Sequence, residues 1–483
     1  MKKVLSVFLA IIMTFTVMIP AFATNGQSNN YDGPPVIIVR GIDFAGLTYE
    51  DGSKALNVEI GTIVPVVFQA FMARLNVISK DAVIDAVMDV AYEILSPLAC
   101  DNEGNSVELV SMVQYPESMA SYPEFTEALT DGAEPGIVKT AIERYGAENT
   151  YFFTYDWRKT PEQLAGELNG FVETAKADSG KDKVNIICAS MGGMVTTAYM
   201  YYHGTDSINS AVYLSGAQNG TYVCGDALNG RIVFEKSVLV DFINDATGDN
   251  IFMKLFLGIF NGLGVLDFIT NIANDLVQDS FDKANDRVLR DCFGTLCGFW
   301  ALCPDEDFES GVETIFGGHE EEYPVLLEKI EQTKQFVFST EETLVNAKEN
   351  GVKISFVSNY NSNLIPVYER ANVNGDGILE SELTSNFATY APLGKVLTAE
   401  QMEGAAAEYI SADKVINAST ALFPENTWFV KDAPHVAADY GTDFSDFTFA
   451  LLESEAQPYV GMFPEYPRFM AADDALSLYP LYY

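Results

Sequence analysis

The chain has 483 residues, of which 48% are hydrophobic, 12% aromatic and 20% charged, a composition that builds a packed core and excludes disordered and fibrous classes. Sixty-eight acidic residues against 28 basic ones give a formal charge of −40. That balance argues against nucleic acid as a partner, since no surplus of Lys or Arg exists to neutralise phosphates, and against electrostatic docking on an anionic membrane.

At the N-terminus, Met1 to Lys3 supply positive charge, Val4 to Ile19 an apolar run, and Ala21-Phe22-Ala23 a small-x-small cleavage site. This is the order of a secretory signal over residues 1–23; an uncleaved anchor is the rival reading, although the run is short for a membrane span. Loss of Lys2 and Lys3 with the signal takes the charge to −42. No later segment holds 18 uninterrupted apolar residues, so the expectation is a secreted protein with no transmembrane segment after the signal.

Val36–Val39 is a short β-branched run, and Tyr151–Tyr155, Val184–Ile187, Ala211–Leu214, Ile354–Val357 and Trp428–Val430 are similar. Such runs suit central strands buried on both faces. Between them Pro161–Ala177 places Leu164, Leu168, Phe171, Val172 and Ala175 at helical spacing behind a proline start. Alternating strands and helices predict an α/β doubly wound, mostly parallel sheet. The core occupies 24–221, with an insertion at about 50–135, and 351–483; residues 222–350 form an inserted helical cap or lid. The cap holds the greasy, glycine-interrupted runs Ile251–Leu266 and Gly298–Cys303. These read as core packing within the cap, or as apolar surface that lines a pocket or makes transient contact with a lipid interface. Cys292, Cys297 and Cys303 cluster there without a nearby His, and read as a local disulfide or buried thiols before a zinc site.

The chemistry begins after Val184–Ile187. Cys188-Ala-Ser190-Met-Gly192-Gly193 leads into the helical stretch Met194–Tyr202. A strand, a sharp turn holding Ser, two glycines and a helix make the layout of a nucleophile elbow. The turn demands small residues at 188 and 192, which Gly192 meets better than Cys188 does. The Met191 N–H would face the developing oxyanion. Of the three histidines, His203 is too near Ser190 in sequence to fold back, and His319 sits in a Gly-Gly-His-Glu-Glu loop. His435, just after the last predicted strand, remains as the base. Asp376, in the loop after the Ile354 strand, is the candidate acid, with Glu369 and Glu380 behind it. The order Ser190, Asp376, His435 is that of α/β hydrolases. A second reading of the acid's stretch is a calcium site, because Asn372, Asn374, Asp376 and Gly377 fall at positions one, three, five and six of an EF-hand-like loop; position twelve is Leu383, which lacks the bidentate carboxylate. A plain turn is the third. The loop Arg40-Gly41-Ile42-Asp43 after the first strand would give the second oxyanion donor, the Ile42 N–H.

Pro35–Gly41, Tyr155-Asp-Trp-Arg158, the Ser190 elbow, Asn374-Gly-Asp376-Gly and His435 together resemble the lipase class of the α/β-hydrolase superfamily, within it the branch of lecithin–cholesterol acyltransferase and lysosomal phospholipase A2. Tyr155–Arg158 is the most specific piece, although a buried aromatic beside an Asp156–Arg158 pair needs no catalysis. Cys188, Ala189 and Arg40 depart from the usual pattern. The resemblance implies hydrolysis of carboxylic, lipid-like esters through an acyl-Ser intermediate, with no cofactor, and a cap that handles lipid chains. An acyltransferase of the same family and a catalytically degenerate binding protein are the alternatives.

Overall fold

A computed structural model describes residues 31–56, 79–125, 136–231, 285–362, 373–435, 437–440 and 442–482, with isolated positions 69, 72, 77, 267, 271 and 274. The predicted leader, the run Ile251–Leu266, Glu369 and Asn372 lie outside the described residues.

Eight strands form the central sheet: β1 Val36–Val39, β2 Thr150–Phe153, β3 Val184–Ala189, β4 Ile208–Leu214, β5 Lys353–Tyr360, β6 Thr427–Lys431, β7 Phe469–Ala472 and β8 Leu478–Pro480. Their order is β8-β7-β6-β5-β4-β3-β1-β2. Every pairing is parallel except the edge pair β7–β8. This is the expected α/β architecture, and all six predicted strands are present within a few residues. The last two strands were not read from the sequence. The Tyr155–Arg158 segment lies in the turn after β2, not on the strand.

The sheet is covered on both faces because its strands alternate between two apolar layers. Ile37, Val39, Ile186, Cys188, Tyr213 and Phe356 point to one core; Val36, Ile38, Ile187, Val212, Val357 and Trp428 point to the other. The first core is roofed by α1 Lys80–Leu95, α3 Pro161–Ser179, α4 Met191–His203, α5 Pro324–Phe338 and α6 Thr340–Glu349, the second by α2 Gly136–Tyr145 and α7 Thr442–Glu453. α3 starts where the sequence says it should: Pro161 is its first residue, and Thr160 and Gln163 close a capping box. The predicted insertion after β1 contributes α1 and the short strand Val110–Met112, which pairs antiparallel with Leu47–Tyr49 just ahead of it. Trp300, Phe308 and Phe316, from the described part of the predicted cap, pack in the same core as Ile37 and Tyr213. Among the described residues, no helix is long and apolar enough to cross a membrane.

β1 sits between β2 and β3, so the chain reverses its direction of travel across the sheet at the β1/β3 junction. In open parallel sheets such a switch point leaves a crevice outside the carboxyl ends of the strands, where ligands bind.

Candidate active site

Ser190 stands at the carboxyl end of β3, beside the β1/β3 junction and just before α4, with φ 55° and ψ −130°. A positive φ costs a non-glycine residue about 1–3 kcal/mol and persists only where the surroundings enforce it. Here Ser190 N donates to Ser215 O at 3.2 Å, and Ser190 O accepts from Ala217 N at 2.7 Å and Gly193 N at 2.9 Å. The glycines are steric necessities. A Cβ on Gly192 would collide with Val39 O and stand 2.8 Å from Arg40 O. One on Gly41 would lie 2.7 Å from Ser190 Cβ and 3.2 Å from Oγ, so the loop after β1 rests directly on the serine. Cys188 causes no such conflict. It is still in β3, fully buried on the α3/α4 side, its thiol 3.5 Å from Val212 O.

Beyond β5 and β6 the chain joins two residues 59 apart in sequence: His435 Nδ1 lies 2.7 Å from Asp376 Oδ2, with both side chains buried. Asp376 Oδ1 accepts the N–H groups of Ile378 at 3.0 Å and Leu379 at 2.8 Å, which aims Oδ2 at the imidazole. With a carboxylate as partner, which only accepts, the hydrogen bond is donated by Nδ1–H and leaves Nε2 as the ring atom that can take up a proton. Asn359 Nδ2 donates to Pro434 O at 2.9 Å and steadies the loop that presents His435. Asn374 Oδ1, a ligand in the calcium reading, accepts Asn361 N at 2.7 Å.

The remaining candidates fall elsewhere. His203 is exposed, its ring 5.7 Å from that of Tyr199. His319 bonds Glu322 at 2.8 Å. Glu380 is wholly buried, 3.3 Å from Thr221 Oγ1, and burial pushes its carboxyl up to about 7. No disulfide joins Cys292, Cys297 and Cys303, which are all buried. Met191 begins α4 and Ile42 is buried beside Gly41.

Three features escaped the sequence reading. Tyr155 donates its hydroxyl to Arg40 O at 2.8 Å. Arg40 pairs with Asp43 at 3.0 Å. Asp439, four residues after His435, has its carboxyl pushed up to about 6 by burial, against the Ile137 N–H and the Arg40 charge. Only the four-residue spacing to His435 could have pointed to Asp439.

No family model matches the chain, and no curated protein does. Among solved structures, a chain in "The crystal structure of Tle4-Tli4 complex" is similar over 68% of this chain and 74% of its own length, at 12% identity and a TM-score of 0.29.

Proposed function

We propose that the chain is a secreted serine hydrolase of carboxylic esters, lipase- or esterase-like, and that its substrates are lipid-like. The observation that carries this reading is the buried Asp376–His435 hydrogen bond, at the same edge of the sheet as the strained Ser190. Desolvating a carboxylate and an imidazole together is costly, and here the short bond between them and the two N–H groups on Asp376 Oδ1 offset that cost.

In the proposed reaction Ser190 Oγ attacks the ester carbonyl carbon while its proton passes to His435 Nε2. The carbonyl π pair becomes an oxyanion held by the Met191 and Ile42 N–H groups. Collapse expels the alkoxide, which takes the proton from His435. Water then repeats the sequence and frees the acid. Asp376 holds the ring tautomer and stabilises the imidazolium. The steps balance with no cofactor.

The test is turnover of p-nitrophenyl esters of rising chain length, with and without a micellar interface. The proposal expects Ser190→Ala to lower kcat by about 10⁴-fold or more and to abolish fluorophosphonate labelling. Turnover that persists in the folded variant would sink it.

A further inference from the structure

The loop Arg40–Asp43 has to aim a backbone donor, yet its second residue is a glycine. Gly41 has no side chain by which the loop could be anchored, and none would fit against Ser190. Its direction must come from neighbours, and two contacts supply it. Tyr155, 2% exposed, donates its hydroxyl to Arg40 O at 2.8 Å. That oxygen belongs to the rigid Arg40–Gly41 peptide, the unit immediately before the one that carries the Ile42 N–H, so holding it fixes the direction in which the chain enters the donor unit. On the far side, the Arg40 guanidinium reaches Asp43 at 3.0 Å and bridges the two residues between them. Arg40 N also donates to Phe153 O at 3.3 Å, which continues the β1–β2 ladder.

Building on the hydrolase reading of Ser190, we infer that Tyr155 is a positioning residue for the oxyanion loop, its hydroxyl fixing the Arg40–Gly41 peptide while the Arg40–Asp43 pair closes the loop from the other side. This gives the first residue of the Tyr155–Arg158 segment a role that packing alone does not require. The last has a structural one: Arg158 is buried and bonds Asp156 through Nε at 2.9 Å and Nη2 at 2.7 Å.

A loop held for the oxyanion acts on the transition state and little on the ground state, so its loss lowers kcat with KM nearly unchanged. Tyr155→Phe removes one oxygen and keeps the ring. The expected fall in kcat is about 10- to 100-fold, less than the loss of a donor outright. The deciding readout is a trifluoromethyl ketone, whose carbon takes Ser190 Oγ, whose carbonyl oxygen becomes an oxyanion, and whose addition sends the serine proton to His435. Its Ki should rise in Tyr155→Phe by the factor that kcat/KM falls, with the melting temperature little changed. Asp43→Asn, at a partly exposed position, tests the other side of the loop and should likewise lower kcat and raise Ki. Wild-type kcat and Ki in both folded variants would overturn the inference while leaving the hydrolase reading intact. A fall in kcat with unchanged Ki would also overturn it. Failure of the wild type to label at Ser190 would overturn both.

Discussion

Glu380 lies four residues beyond Asp376, wholly buried, and its carboxyl is raised from 4.5 to about 7, chiefly by burial and also by the nearby Asp376 charge. The Thr221 hydroxyl and the Tyr222 N–H offset only part of this. Below pH 4.5 the group is protonated whether the chain is folded or not. As pH rises towards 7 only the unfolded chain releases the proton, so the folded state loses ground; above about 7 both states are ionised and the penalty is complete. At 1.36 kcal/mol per pKa unit, the shift amounts to about 3 kcal/mol. Glu380→Gln keeps the shape and an acceptor for Thr221 but cannot ionise. Its stability relative to wild type should therefore climb by about 3 kcal/mol between pH 4.5 and pH 7.5. Urea unfolding of both proteins at half-unit pH steps measures that difference directly, because every other titrating group cancels. A difference independent of pH would refute the reasoning and mean that Glu380 is ionised in the folded chain.

Other substitutions probe the site and its frame. Asp376→Asn should leave the fold intact and lower kcat on a p-nitrophenyl ester by about 10⁴-fold, since the amide holds the wrong tautomer of His435; a mild effect would remove Asp376 from the reaction. Gly41→Ala places a methyl 2.7 Å from Ser190 Cβ, where ordinary contact needs about 3.5–4.0 Å. The displacement approaches 1 Å and should cost about 10²-fold in kcat/KM, read by the rate of fluorophosphonate labelling. Gly298→Ala drives a methyl into the Trp157 carbonyl and should lower stability by about 3 kcal/mol in denaturant melts, with no such loss at Gly170 in α3, where the space is open and the backbone helical. Chelation of calcium should leave both kcat and melting temperature unchanged, because Asn374 and Asp376 accept protein N–H groups; a fall in either would favour the calcium loop.

The strands were legible because a sheet buried on both faces needs short apolar runs, of which Val36–Val39 is unbroken and Val184–Ile187 is interrupted only by Asn185. Phe469–Ala472 escaped because its Phe-Met-Ala-Ala sequence lacks the β-branched residues of the others. Ser190 could be found because the elbow is local, five residues of strain and small side chains. Asp376 and His435 were legible only by elimination and chain order, since nothing in either segment announces the other. The Tyr155–Arg40 bond spans 115 positions and ends on a backbone carbonyl, which leaves no trace in residue types. Cys188 looked like a defect when counted from the serine, but the demand for a bare backbone falls on Gly192 and Gly41, where carbonyls and Ser190 press closest.

The six buried cysteines carry a practical consequence. Burial lifts the Cys100 and Cys292 thiols to about 12 and Cys297 to about 11, so at neutral pH almost none is thiolate and alkylating reagents find nothing to attack. Each sulfur becomes reactive only while its own stretch of chain is open. Cys188 reports on the strand beneath Ser190, Cys224 on the helix that follows β4, and Cys292, Cys297 and Cys303 on the helical segment before α5. The protein thus holds a built-in set of opening clocks. Peptide-by-peptide rates of iodoacetamide capture would rank these regions by local stability without an added label.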